Sequence, residues 1–268
     1  MTRFTIGLAA LALSATTSAV TVTNGVAYST AGTTYTQNFN SLSATATTEG
    51  FTNNSTLPGW YVETNTYGAA GNLFIGTGSS GTSYLYDFGS YHATDRALGS
   101  IDGTPSPYIA PFIIVGFTNL TGTTLNGFTF NYTGEEWHGG SATGAIDVYY
   151  GQGALPQNVT TWTAAGAASA FVPPNTTGSG ALDGNAAGNR ETGLGGTFTD
   201  SWAAGTTLYI RFAMPPGNGG GDGLAIDDFS FSATAASAVP EPSTYAAVLG
   251  GVALAVVGLR RRVALDRP

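Results

Sequence analysis

The sequence contains no cysteine and no lysine. Without thiols there is no disulfide, no cysteine nucleophile and no zinc–thiolate site. Two histidines, His92 and His138, are too few for a polyhistidine metal centre. Basic residues are scarce: eight arginines stand against sixteen acids in 268 residues. Five of the eight (Arg3, Arg260, Arg261, Arg262 and Arg267) lie at the two ends, and the body keeps only Arg96, Arg190 and Arg211 against fourteen acids. A body this poor in cations cannot displace the counterions of phosphate, which excludes nucleic acid as a partner. Charged residues make up 9% of the chain, against about a quarter in ordinary soluble domains. Disorder is excluded as well, because 42% apolar and 12% aromatic content is enough to bury a core.

Glycine is abundant, at 39 residues. It separates short runs rich in Thr, Tyr, Phe, Val and Ile, the pattern of strands between turns. The runs place strands at Thr34–Leu42, Trp60–Asn65, Asn72–Gly76, Ser83–Phe88, Tyr108–Thr118, Thr124–Tyr132, Ala145–Tyr150, Gly195–Thr199, Thr206–Met214 and Leu224–Ser232. Several alternate with period two. Phe128, Phe130 and Tyr132 share a face, as do Ile146, Val148 and Tyr150, while Leu208, Ile210, Phe212 and Met214 oppose Tyr209 and Arg211. Many alternating strands with no helical period predict an all-β, antiparallel two-sheet sandwich of jelly-roll type over residues 20–232. No internal repeat is present, which disfavours propellers and solenoids.

The two ends read as addresses. Arg3 followed by the apolar run Phe4–Leu13 and the small residues Thr17, Ser18 and Ala19 is the pattern of a secretory signal over residues 1–19. After a linker at 233–239 comes Pro240-Glu241-Pro242, then a run from Ala246 to Leu259 made only of Ala, Val, Leu and Gly, then Arg260-Arg261-Arg262. Such a run predicts a short membrane helix, with the arginines and a tail at 263–268 on the cytoplasmic side. Residues 240–262 resemble the PEP-CTERM sorting signal of Gram-negative bacteria. The resemblance implies export and an inner-membrane-anchored precursor. It also implies the secretion machinery and an exosortase as partners, with Pro240, Glu241, Pro242 and the three arginines as the sorting residues. The destination it implies is the cell surface or an exopolysaccharide matrix. A plain membrane anchor is the alternative.

Within the body, Phe39-Asn40-Ser41-Leu42, Pro58-Gly59-Trp60-Tyr61, Asp95-Arg96-Ala97-Leu98-Gly99-Ser100, Tyr132-Thr133-Gly134-Glu135-Glu136-Trp137, Leu182-Asp183-Gly184-Asn185 and Asp222-Gly223-Leu224-Ala225-Ile226-Asp227-Asp228-Phe229 occur in that order. Together they resemble a bacterial family of secreted β-sandwich domains carried with PEP-CTERM tails, a family with no assigned function. The closing strand also resembles that of jelly-roll carbohydrate-binding modules. That resemblance implies a structural calcium ion held by Asp227 and Asp228, with oxygen from the first strand at Asn40. Ion pairing to an arginine is the competing role for these acids. Strict alternation puts Asp228 on the face of Leu224 and Ile226, and Asp227 on that of Phe229 and Phe231, so one carboxylate is expected to point among apolar neighbours.

With only three arginines in the body, each is expected to have a fixed partner. Asp95, Arg96 and Arg211 are the candidates for a buried structural ion pair. Glu135 and Glu136 are adjacent and so point to opposite faces, which argues against a glycosidase pair. They are expected at a strand end, solvated, with Trp137 in the core. Trp60, Tyr61 and Trp137 are the candidate sugar-stacking rings, with a core role as the alternative. The sequence therefore describes an exported, non-catalytic β-sandwich with a structural or adhesive role. A carbohydrate-binding module for exopolysaccharide is the alternative and a polysaccharide-active enzyme the second; no cofactor is expected other than calcium.

Overall fold

The computed structural model describes residues 23–63, 71–80, 85–101, 111–140, 144–175, 178, 180–215 and 221–235. The signal segment, the linker beyond Ala235, the Pro-Glu-Pro element, the apolar run and the terminal arginines lie outside the described residues. Among the described residues no helix is long and apolar enough to cross a membrane.

Among the described residues, fifteen strands form two sheets. The first sheet contains β1 (Val26–Tyr28), β4 (Trp60–Glu63), β8 (Phe112–Asn119), β10 (Asp147–Gln152), β11 (Thr163–Ala164) and β14 (Thr207–Ala213). Strand β8 is its hub: β14 pairs along one edge, while β4 and β1 share the other end to end. The second sheet contains β2 (Tyr35–Gln37), β3 (Thr48–Gly50), β5 (Asn72–Gly76), β6 (Leu85–Phe88), β7 (Ala97–Ile101), β9 (Leu125–Gly139), β12 (Gly180–Ala181), β13 (Arg190–Trp202) and β15 (Gly223–Ala235). Its spine is the long antiparallel pair β9–β15, flanked by β12 and β13 on one side and by β7 and β2 on the other.

Alternation builds the core between the sheets. In the first sheet Trp60, Val115, Ile210 and Tyr150 form one row across four strands, and Val62, Ile113, Phe212 and Val148 form the next. In the second sheet Phe130, Phe231 and Tyr35 line up in the same way. The sheets meet through rings: Phe117 stacks on Phe231 at 3.8 Å and Trp60 meets Phe229 edge-on at 5.4 Å. Tyr28 ties β1 to β15, its hydroxyl accepting from the Ala233 N–H at 2.8 Å and donating to the Thr33 carbonyl at 2.8 Å. The architecture is thus an all-β two-sheet sandwich.

Three details depart from the expected pattern. The pairs β1–β8 and β5–β6 are parallel in an otherwise antiparallel arrangement. The first expected strand stops at Gln37, because Phe39 adopts φ +55° and turns its ring into the core. Short strands β1, β3, β7, β11 and β12 join the sheets through segments too short or too glycine-rich to show alternation.

A fourth departure matters more. Between Asp227 and Ser230 strand β15 carries one residue more than its partner between Thr133 and Asn131. This β-bulge has Asp228 at φ +48°. The extra residue resets the alternation, so Leu224, Ile226, Phe229 and Phe231 all join the central core. Asp227 therefore does not share the face of Phe229 and Phe231, and Asp228 is exposed.

Replacing Phe231 by alanine is expected to cost about 3–5 kcal/mol in urea unfolding, because its neighbours cannot collapse into the space. Asp228→Val is expected to cost about 1–2 kcal/mol through the left-handed backbone, while Asp228→Gly leaves the denaturation midpoint unchanged or raises it.

Candidate functional site

The three candidate sugar-stacking rings are interior. Trp60 is 0% exposed, Tyr61 6% and Trp137 1%. The Trp60 indole N–H donates to the Tyr35 hydroxyl at 2.9 Å. Tyr61 packs edge-on to Tyr209 on the outer face of the first sheet, and its hydroxyl donates to the Asn24 carbonyl at 2.6 Å. Trp137 stacks on Phe88 at 5.9 Å on the outer face of the second sheet. The loop at Gly184 covers it so closely that a Cβ there would collide with the indole. None of the three is a sugar platform.

The ion pair also has different partners. Arg96 is 1% exposed; its Nε donates to Asp87 Oδ1 at 2.7 Å and an Nη donates to the Asp87 carbonyl at 2.6 Å. Asp87 occupies an inward row beside Leu98 and Ile226, a position that alternation would give to an apolar side chain. The partner of Arg96 is therefore Asp87, not Asp95. Arg211 lies among three rings, 4.2 Å from Trp162, 4.6 Å from Phe112 and 4.9 Å from Tyr149, and its charge acts on the buried Glu63. The sequence hides Asp87 because its strand is short and its arginine is nine residues away.

Glu135 and Glu136 are buried, not solvated, at 1% and 0% exposure. Alternation sends them to opposite sides. Glu135 Oε2 accepts from the Trp137 indole N–H at 2.8 Å, and Glu136 Oε2 accepts from the Asn175 backbone N–H at 3.0 Å. Glu135 is joined on its face by Asp227, two positions along the paired strand. Asp95 and Asp228 act electrostatically on both, and Arg190 sits opposite Glu135 in register. Glu135 Oε1 and Asp227 Oδ1 have no hydrogen-bond partner among the described residues. Burial, reinforced by the neighbouring acids, pushes Glu135 up to about 7 and Asp227 up to about 8. Burial also raises Glu136 to about 7, against the Asn175 hydrogen bond, and Asp87 to about 7, against the pull of Arg96.

These residues do not assemble a calcium cage, which needs six to eight oxygens. Asn40 Oδ1 accepts from the Arg96 backbone N–H at 2.8 Å, Asp228 is exposed, and Asp227 is buried beside Glu135. Among the described residues no group of three or more His, Asp or Glu side chains is placed to hold a metal ion.

An open cleft of about 540 Å³ lies at one end of the first sheet. Its walls include Asn24, Gln152, Thr118, Thr206 and Thr207, and among the described residues no ionisable side chain lines it. Gln152 Nε2 is held by Asp200 Oδ2 at 3.0 Å and the Ser201 carbonyl at 2.9 Å, and the Thr118 and Thr207 hydroxyls are 2.9 Å apart. The cleft offers fixed amides, hydroxyls and backbone groups, but no acid or base. Sequence reasoning missed it because it is built from Thr, Asn, Gln and Gly spread over four segments, each unremarkable alone.

No protein-family model and no curated protein matches the chain. Among solved structures it is similar to the K3 cleaved adhesin domain of Lys-gingipain from Porphyromonas gingivalis. That match has 14% identity and a TM-score of 0.37, and covers 65% of this chain and 91% of that one. It is also similar to the second N-terminal cellulose-binding domain of Cellulomonas fimi β-1,4-glucanase C, at 14% identity with a TM-score of 0.23, covering 59% of this chain and 90% of that one.

The raised carboxyls fix the sign of the pH dependence. Each holds its proton in the folded state to a higher pH than in the unfolded chain, so folding takes up protons between about pH 4 and 8. Stability is expected to be greatest in mild acid and to fall as pH rises through 7 to 8. Melting temperatures across that range test this; Asp227→Asn and Glu135→Gln are each expected to flatten the fall by several degrees. Arg96→Ala is expected to cost about 3–5 kcal/mol by leaving Asp87 buried without its partner, read from the shift in denaturation midpoint.

Proposed function

We propose that this chain is an exported, non-catalytic β-sandwich with a structural or adhesive role at the cell surface or in an extracellular matrix, where it makes weak contact with polysaccharide. The observation that carries the reading is the separation of charge from opening. Glu135, Glu136, Asp87 and Asp227 are buried, while the open cleft is lined by neutral amides, hydroxyls and backbone groups. Glycoside hydrolysis needs two carboxylates facing each other across accessible space, and that cleft has none. Uncharged donors and acceptors suit a polyhydroxyl ligand and give contact without turnover.

Export is supported by the sequence of the ends: the signal-like residues 1–19 and the Pro-Glu-Pro element, apolar run and arginine cluster that resemble a PEP-CTERM tail. On this reading the inner membrane holds the precursor and an exosortase releases the body.

The test is a doubly tagged protein in a Gram-negative host with an exosortase. The body tag is expected outside the inner membrane, reachable by added protease on whole cells, with the tag beyond Arg262 lost. The matrix fraction is expected to retain the body in high salt and to yield no new reducing ends. An intact polypeptide in the cytosol, or release of sugar, would overturn the proposal.

A further inference from the structure

The connection from β6 to β7 carries two rings at its tip. Tyr91 is 82% exposed, and His92 beside it is exposed too. Their centroids are 3.9 Å apart, edge to face. The Ala93 N–H donates to the Ser90 carbonyl at 2.9 Å, closing a four-residue turn with Tyr91 and His92 as its central pair. His92 has φ +60°, the conformation that the third residue of a type II turn requires and that glycine or asparagine normally supplies. In a chain with 39 glycines, a histidine here is a local cost. Tyr91 gains no burial in return. A turn that holds two rings outward, against both backbone preference and the hydrophobic effect, is arranged for contact.

Beside that turn is a pocket of about 220 Å³, walled by residues 44–47 and 75–77 and bordered by both rings and Arg96. The guanidinium is fixed by its two bonds to Asp87. Its other Nη abuts Gly89, where a Cβ would collide with it. Asp87 matches the charge of Arg96, and fourteen acids against three arginines repel anionic polymers. The remaining chemistry is an open aromatic face with a few fixed polar groups, which suits an uncharged sugar ring.

We propose that the Tyr91–His92 turn and its pocket form a binding site for one ring of a neutral polysaccharide, with Tyr91 against the apolar face of the sugar and His92 meeting its hydroxyls. This rests on the reading of polysaccharide contact given above and names its site and ligand class.

Affinity electrophoresis of the purified full-length protein tests it, with dextran, xyloglucan and galactomannan in the gel and alginate as the anionic control. At least one neutral polymer is expected to retard the protein, and alginate is not. Tyr91→Ala is expected to weaken that retardation at least tenfold without moving the melting temperature, since the ring is almost wholly exposed. His92→Gly is expected to raise the melting temperature and weaken binding several-fold, because it removes backbone strain together with a contact. Retardation that survives Tyr91→Ala but is lost in Gln152→Ala would overturn this site and leave polysaccharide contact at the neutral cleft. Absence of retardation by every neutral polymer would overturn polysaccharide contact itself. Retardation by alginate alone would overturn the assignment to a neutral ligand.

Discussion

One extra residue in β15 governs the second sheet. A strand of strict alternation cannot turn Leu224, Ile226, Phe229 and Phe231 to the same side, because two residues, an even number, lie between Ile226 and Phe229. The bulge at Asp228 removes the conflict and delivers all four to the core. It coincides with the change of neighbour along β15, from β7 at Gly223–Ile226 to β2 at Phe229–Phe231. The stack of Phe117 on Phe231 and the edge contact of Trp60 with Phe229 both depend on that correction. So does the pairing of Asp227 with Glu135 on the other side, where two desolvated carboxyls share a field of nearby acids.

Nearly half of the described body acids are kept inside. Six carboxylates (Glu63, Asp87, Glu135, Glu136, Asp222 and Asp227) are buried, and the one described salt bridge joins Arg96 to Asp87. The rest are held largely by hydrogen bonds that organise the backbone or a neighbouring ring. Asp222 accepts from the Gly140 N–H at 2.7 Å, Glu136 from Asn175 and Glu135 from Trp137. An acid that caps a loop in this way does its work as an acceptor; when burial also keeps it protonated, desolvation costs little.

The sandwich was legible in the sequence where strands alternate cleanly. Leu208, Ile210, Phe212 and Met214 face the core and Tyr209 the outside, as period two requires. The inward rows of β9 and β10 follow the same rule. What escaped was non-local or sub-periodic: a bulge that adds one residue, strands of two or three residues, and an ion pair whose acid sits in an apolar row. The aromatic candidates failed for a related reason. Their place in the chain does not show that Trp60 and Trp137 are enclosed by distant segments. Tyr91 was one tyrosine among many, and only its turn conformation singles it out.

The scarcity of arginine has a further consequence for resistance to proteolysis. A secreted protease that cuts after basic residues would meet three candidate bonds in the body. Arg96 is sealed in the interior, Arg211 is packed among three rings, and Arg190, the exposed one, is hydrogen-bonded into a paired strand. With no lysine to add to these, the folded domain offers such an enzyme almost no extended loop to grip. It is suited to persist where tryptic digestion clears most other proteins.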